Sequence, residues 1–450
     1  MPNSWQTALC SAFWAFFLIG SLLVAFHHQS TVSGFAEAPF AVHVESETAD
    51  VVEDPIYQAR FVSDGLTRLV HAATAVQRPD GAIQAFWFGG SREGHADVRI
   101  FTATFDPDMQ RWTDEAPLLS RQETARAERR HVRKLGNPVA AVDSQGRILL
   151  FFVSVSFGGW SGSSINLVVS EDNGQTWSKP RQLITSPFLN VSTLVKGPVV
   201  QHDDGTMGLP VYHEFLGKFS EYLHLDGQGR VLGKSRVSHG RFAIQPVVFP
   251  LGEQHAVALM RNTDSDRPRR AWTSRTNDGG RTWSVPERTK IMNGNTALGG
   301  TLSGTMGDVN ILLTAANVTE YNRSSLALLR STDQGRDWAV VYDVEPHQPS
   351  LSQEEFSEAV TRKTPVSEED MPLTPETVAA AATEIQCEPG RPVCDFRFDY
   401  PWLLKDAQGR YHLFYTWNRA FIRHLTFNSA WLKFRPDQPL EDRAYQGDEP

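Results

Sequence analysis

Cys387 and Cys394 bracket the hexapeptide Glu388-Pro389-Gly390-Arg391-Pro392-Val393, a turn-rich spacing that brings two thiols together. A local disulfide and a thiolate metal site both fit such a pair. No other His or Cys pair lies close by in sequence to complete a metal set, so the spacing favours the disulfide and, with it, an oxidising compartment. A second stretch with chemical potential is Arg126 to Lys134, where basic residues are interleaved with Glu128 and His131. Its plain reading is a solvated loop or helix face. The formal net charge is −9. A mildly acidic surface with one short basic stretch argues against nucleic acid as the main partner.

The chain has 450 residues, with 12 Trp, 26 Phe and 33 Gly. That length and composition suit one large domain of many short strands joined by tight turns. Residues Ala8 to Phe26 form an uncharged, mostly apolar run, about 28 Å long as a helix. No Lys or Arg precedes it, and Ala36-Glu37-Ala38, the nearest cleavage-like triplet, is followed by Pro39. The expectation is an uncleaved transmembrane anchor over 8–26, behind a short tail (1–7), with a cleaved signal peptide as the competing reading. A linker over 27–55 then leads to an extracytoplasmic body over 56–436 and a C-terminal tail over 437–450.

Within the body, strand segments alternate with turns of the form Asp-x-x-Gly or Asp-Gly. Asp143-Ser144-Gln145-Gly146, Asp226-Gly227-Gln228-Gly229 and Asp406-Ala407-Gln408-Gly409 are examples. Gly supplies the positive φ that tight hairpins need. An acidic, Pro-rich segment over 345–396 breaks this rhythm, with a helix-prone centre at Pro375 to Ile385 and Thr374 as cap.

One octet recurs: Ser170-Glu171-Asp172-Asn173-Gly174-Gln175-Thr176-Trp177, Thr276 to Trp283, and Ser331 to Trp338. A degenerate copy covers Thr104 to Asp106 with Trp112. These octets resemble the Asp-box of sialidases, which implies an all-β, six-bladed β-propeller with the boxes as structural turns away from the active site. The stretch Trp87 to Asp97 resembles the group of predicted neuraminidases, as does Tyr415-Thr416-Trp417-Asn418-Arg419.

The resemblance implies a set of site residues. Asp97 matches the general acid, and Glu93 is a second candidate beside it; Arg92 closes the preceding strand. Arg261 and Arg323 match two of the carboxylate-binding arginines, and His71 stands at the place of the first. Tyr400 matches the nucleophile. Gln245 stands where a Glu activates that nucleophile, and Glu214 is a substitute for the missing carboxylate. Arg419 is a replacement cation facing the cavity or a ring-closing salt bridge. Trp160 and Met207 read as blade core.

Guanidinium groups clamp a carboxylate bidentately and never lose their charge. A tyrosine attacks an anionic sugar without the repulsion a carboxylate nucleophile meets. A protonated Asp or Glu then donates to the departing oxygen. The resemblance thus implies a retaining exo-glycosidase for a terminal acidic sugar of a glycan, without metal or cofactor. The departures at His71 and Gln245 keep two other readings open: a non-catalytic glycan-binding or envelope polysaccharide-handling propeller, and an acidic-polysaccharide lyase using Tyr400 and His71.

Overall fold

The computed structural model describes residues 11–21, 38–41 and 54–440, apart from 107–108, 187–189, 216, 241, 266–267, 294–295, 307–308, 320–321, 365, 368–369, 371 and 388–389. The body is a six-bladed β-propeller, each blade an antiparallel sheet. The innermost strands are Leu69–Gln77, Lys134–Val142, the short pieces Leu194–Val195 and Val200–Gln201, Ala243–Pro250, Gly299–Met306 and Phe398–Lys405. Ile148–Val155, the second strand of blade two, is buried at all eight positions because neighbouring blades cover both its faces. Hence it reads as a continuous apolar run rather than an alternating one. The N-terminal strand Tyr57–Phe61 pairs with Phe421–Phe427 and completes blade six, so the two ends of the body close the ring together.

The chain direction defines two ends. First strands begin, and second strands finish, at one end; third strands finish at the other. The Asp-boxes lie where third strands finish. In each, the first hydroxyl donates to the box Asp: Ser170 to Asp172 at 2.8 Å, Thr276 to Asp278 at 2.8 Å and Ser331 to Asp333 at 2.7 Å. The Gly174, Gly280 and Gly335 amides return to the same hydroxyls. Trp177 and Trp283 each donate their indole N–H to the turn glycine's carbonyl at 3.1 Å. The Asp-x-Gln-Gly-Arg hairpins at the same end are built alike: Asp143, Asp226 and Asp406 each accept from the Arg four residues on.

The segment over 345–396 contains two capped helices, Gln353–Lys363 and Pro375–Gln386. Thr374 caps the second, as expected; the first, carrying the capping box Ser352/Glu355, is a helix beyond the one expected. Cys387 and Cys394 are joined, their Cα atoms 4.6 Å apart. Residues 11–21 of the apolar N-terminal run are helical. Among the described residues no helix is long and apolar enough to cross a membrane; the rest of the expected 8–26 anchor lies outside them. Part of the expected linker is docked: Phe40 is fully buried and pairs with His202, and the Phe40 amide donates to Glu253 at the Asp-box end.

Candidate functional site

The candidate residues gather at the end opposite the Asp-boxes, where first strands begin. His71, Gln245 and Tyr400 occupy the beginnings of the innermost strands of blades one, four and six. Arg261 ends the second strand of blade four, and Arg323 and Arg419 lie in turns between second and third strands. Each of the three innermost strands carries a β-bulge at this point. At these bulges Ala72, Gln245 and Tyr400 take φ of +59°, +55° and +51°. Left-handed backbone in non-glycine residues costs of order 1 kcal/mol each and persists only where the surroundings hold it. Here neighbouring blades do so: the Ala72 amide donates to the Thr416 hydroxyl at 3.1 Å and the Tyr400 amide to Thr296 at 3.3 Å. The bulges turn side chains toward the propeller axis that a regular strand would send into a blade.

Two linked clusters result. In the first, the Tyr400 phenol oxygen accepts from Gln245 Nε2 at 3.0 Å and from Arg261 Nη1 at 3.2 Å, while the same Arg261 nitrogen donates to Gln245 Oε1 at 3.0 Å. Gln245 also donates to Tyr212, which accepts from Asn137 as well. Burial, with Tyr400 and Glu214 nearby, holds the Tyr212 phenol well above the usual range. Gly197 admits this arrangement: a Cβ there would lie 1.9 Å from the Pro246 carbonyl oxygen.

In the second cluster, the fully buried Asp399 gathers three guanidiniums. Arg323 Nη1 lies 2.7 Å away, Arg397 Nε 2.8 Å and Arg419 Nε 3.5 Å. Burial alone would push this carboxyl up; Arg323, Arg397 and Arg419 together hold it well below the usual range. Glu93 sits 3.3 Å from Arg419. Among the described residues, four guanidiniums and two carboxylates meet across the two clusters. His71 lies between them, its ring 4.3 Å from that of Tyr400 and its Nδ1 buried without a hydrogen-bond partner. Burial, which Asp399 only partly offsets, holds it well below the usual imidazole range, so it is neutral.

The structure separates the remaining candidates. Asp97 lies in an exposed turn, accepting from the Ser91 amide at 2.8 Å and hydroxyl at 3.1 Å; these bonds outweigh partial burial and hold its carboxyl down. Arg92 pairs with His95 at 2.6 Å in the same turn and stays apart from the other guanidiniums. Glu214 is half-buried at the end of Met207–His213; among the described residues no hydrogen bond joins it to Tyr400. Met207 is core, as expected. Trp160 is half-buried and packs against the core at the site end, over Gly136, where a Cβ would come within 2.6 Å of its ring.

Four participants went unread in the sequence. Arg397 and Asp399 alternate with Phe396 and Phe398, and that period of two marks a strand with a charged face. Asn418 and Arg419 form a left-handed pair, φ +48° and +58°, held by Gln386 donating to the Asn418 carbonyl at 2.7 Å. The inserted helix Pro375–Gln386 thus supports a site arginine. Lys196 is buried, with its ammonium 5.7 Å from the Tyr400 ring and 5.0 Å from that of Trp402. Burial pushes it down to about 7. A lone lysine inside Leu194-Val195-Lys196-Gly197-Pro198-Val199 is the signal that marks it.

In fold, the six-bladed propeller is similar to solved sialidases and trans-sialidases. A Hadza microbial sialidase superposes with a TM-score of 0.59 at 16% identity, covering 82% of this chain and 68% of that one. The intramolecular trans-sialidase from Ruminococcus gnavus gives 0.58 at 12%, covering 84% and 98%. The NanB sialidase from Streptococcus pneumoniae gives 0.56 at 8%, covering 82% and 70%. The chain belongs to the BNR repeat-like domain family, whose pattern matches residues 81–413. No curated protein sequence matches it.

Proposed function

We propose that the protein is a sialidase-like glycosidase acting on a terminal acidic sugar, with Tyr400 as nucleophile. The observation that carries this reading is the Tyr400 oxygen, held by Arg261 and Gln245 one residue from the carboxylate that gathers Arg323, Arg397 and Arg419. In this reading Arg261, Arg323 and Arg419 hold the substrate carboxylate, and Arg397 sets the charge on Asp399 behind them. Glu93 is tied to Arg419, which leaves Asp97 as the acid that meets the glycosidic oxygen once substrate displaces its bonds to Ser91. Attack forms the bond from the tyrosine oxygen to the anomeric carbon as the glycosidic bond breaks, with the Asp97 proton leaving on the alcohol. Water then cleaves the sugar–tyrosine bond with Asp97 as base.

Gln245 cannot accept the phenol's proton, and its amide and Arg261 both point donors at that oxygen. In this reading water in the cavity takes the phenol's proton, and tyrosinate is the group released when water, deprotonated by Asp97, cleaves the sugar–tyrosine bond. The test is hydrolysis of aryl sialosides and aryl uronides by the wild type, Tyr400→Phe and Gln245→Glu. Turnover lost in Tyr400→Phe and raised in Gln245→Glu, which regains a proton acceptor, supports the reading. Turnover persisting in Tyr400→Phe overturns it.

A second reading, a glycan-binding propeller without turnover, draws on the same glutamine and on the low carboxyl of Asp97. Tight binding of an acidic sugar with no turnover in any variant would select it. The lyase reading loses support because the His71 ring packs directly against that of Tyr400, tilted by 34°, instead of facing it across a substrate.

For localisation we infer an extracytoplasmic, membrane-anchored protein from the apolar run and the cystine. Recovery of the intact N-terminus in membrane fractions tests it; a soluble protein beginning near Pro39 would refute it.

A further inference from the structure

The basic stretch after Arg126 is not uniformly a solvated face. Arg130 is built in: its guanidinium donates to Glu128 at 2.5 Å, to Ser156 at 2.7 Å, to Ser154 at 2.6 Å and to Asn166 at 2.8 Å. Arg133 and Lys134 turn instead to the rim of the site end, where the loop over 156–162 rises beside them. Arg133 uses one N–H on the Gly158 carbonyl at 3.0 Å and is otherwise exposed; a guanidinium carries five such donors. Lys134 places its ammonium 3.8 Å over the Trp160 ring. Phe157, 75% exposed, lies 6.1 Å from the His131 ring.

This rim is continuous with the axis. A Cβ on Gly94 would lie 3.1 Å from Lys134 Nζ, so the lysine rests against the turn that carries Glu93. Glu93 in turn meets Arg419 at 3.3 Å. The path from the arginine cluster outward thus runs through Glu93 and Lys134 to Trp160, Phe157 and Arg133. The exposed Phe157 ring beside the exposed Arg133 guanidinium, backed by Trp160 and the buried Lys134, suits a chain of sugar rings that carry carboxylates. The apolar face of a sugar would lie on the Phe157 ring, and its carboxylate would meet the Arg133 guanidinium. The carboxylates on this rim are already engaged: Glu93 with Arg419, Glu128 with Arg130 and Asp97 with Ser91.

We propose that the blade-two rim over 131–134 and 157–160 is a further subsite for an acidic oligosaccharide. It would bind the sugars that follow the one held at the axis, so that the ligand is a stretch of polyanionic glycan rather than an isolated terminal sugar. The proposal rests on reading the axis as an acidic-sugar site, but its test is independent of turnover. Full-length protein is titrated calorimetrically with the monomer and the hexamer of α2,8-linked sialic acid and of galacturonic acid, at two salt concentrations. The variants are Arg133→Ala and Phe157→Ser, both at exposed positions, with Arg261→Met as the axis control.

The wild type is expected to bind one of the hexamers at least about tenfold more tightly than its monomer. Either rim variant should remove most of that gain and flatten its salt dependence, while leaving monomer affinity within about twofold. A hexamer that binds no more tightly than the monomer, or a gain unchanged in both rim variants, overturns the proposal. Hexamer binding that is lost in Arg133→Ala yet indifferent to Arg261→Met would keep the rim site and refute the axis reading instead.

Discussion

Both ends of the propeller use left-handed backbone, and they use it differently. At the Asp-box end Gly81, Gly146, Gly229 and Gly409 close hairpins, and Asn173-Gly174 and Gln334-Gly335 close box turns. At the site end Ala72, Gln245, Tyr400, Asn418 and Arg419 take the same region of φ. Glycine adopts it without steric cost, whereas side chains with a Cβ must be held there by neighbours. One end is thus built from turns that stabilise themselves. The other stores strain that threonine hydroxyls from adjacent blades restrain, and it uses that strain to aim a phenol, an amide and a guanidinium at one point.

The sharpest way to break this contrast is Tyr400→Phe. It keeps the ring against His71 and removes only the oxygen. Turnover should fall by at least about 10³-fold, with the melting temperature within a few degrees; steady-state kinetics beside thermal unfolding checks both.

Asp399→Asn should follow. Its three guanidiniums lose their shared counter-charge in a buried setting, and unfolding free energy should fall by about 3 kcal/mol. Urea titration measures this, and an unchanged midpoint would mean that the arginines relax into solvent. Arg323→Lys keeps the charge but loses the planar fork; acidic-sugar binding should weaken by about 2 kcal/mol, read by calorimetry.

A pH series of urea midpoints tests the buried titratable groups on both sides of neutrality. Burial holds His71, His412 and His424 below the usual imidazole range. They stay neutral in the fold, so stability should fall as pH drops below about 6.5, where the unfolded chain takes up protons. Glu115 runs the other way: burial beside Asp64 pushes it up to about 8, and its contribution should be lost as pH rises through that value. Glu115→Gln should remove the decline toward pH 8, and an unchanged profile in that variant would contradict the Glu115 assignment. The smallest effect is expected at the Asp-box end: Asp278→Ala removes the acceptor for Thr276 and Thr282. It should cost about 1 kcal/mol of stability and leave sugar affinity unchanged.

By itself the sequence determined the propeller, the box turns, the helix capped by Thr374 and the approximate places of His71, Arg261, Arg323 and Tyr400. These are local matters: a hairpin is written in four to eight adjacent residues, and a strand in its alternation. Only the tertiary structure decided which charges meet. Asp399 draws Arg323, Arg397 and Arg419 from turns nearly a hundred residues apart, and Gln245 reaches Tyr400 across the axis. It also tied Arg92 and Asp97 into a separate turn. The physical reason is closure of the ring. A propeller brings the beginnings of distant strands to one axis, and the bulges that turn their side chains inward are held by neighbouring blades rather than by the residues that form them.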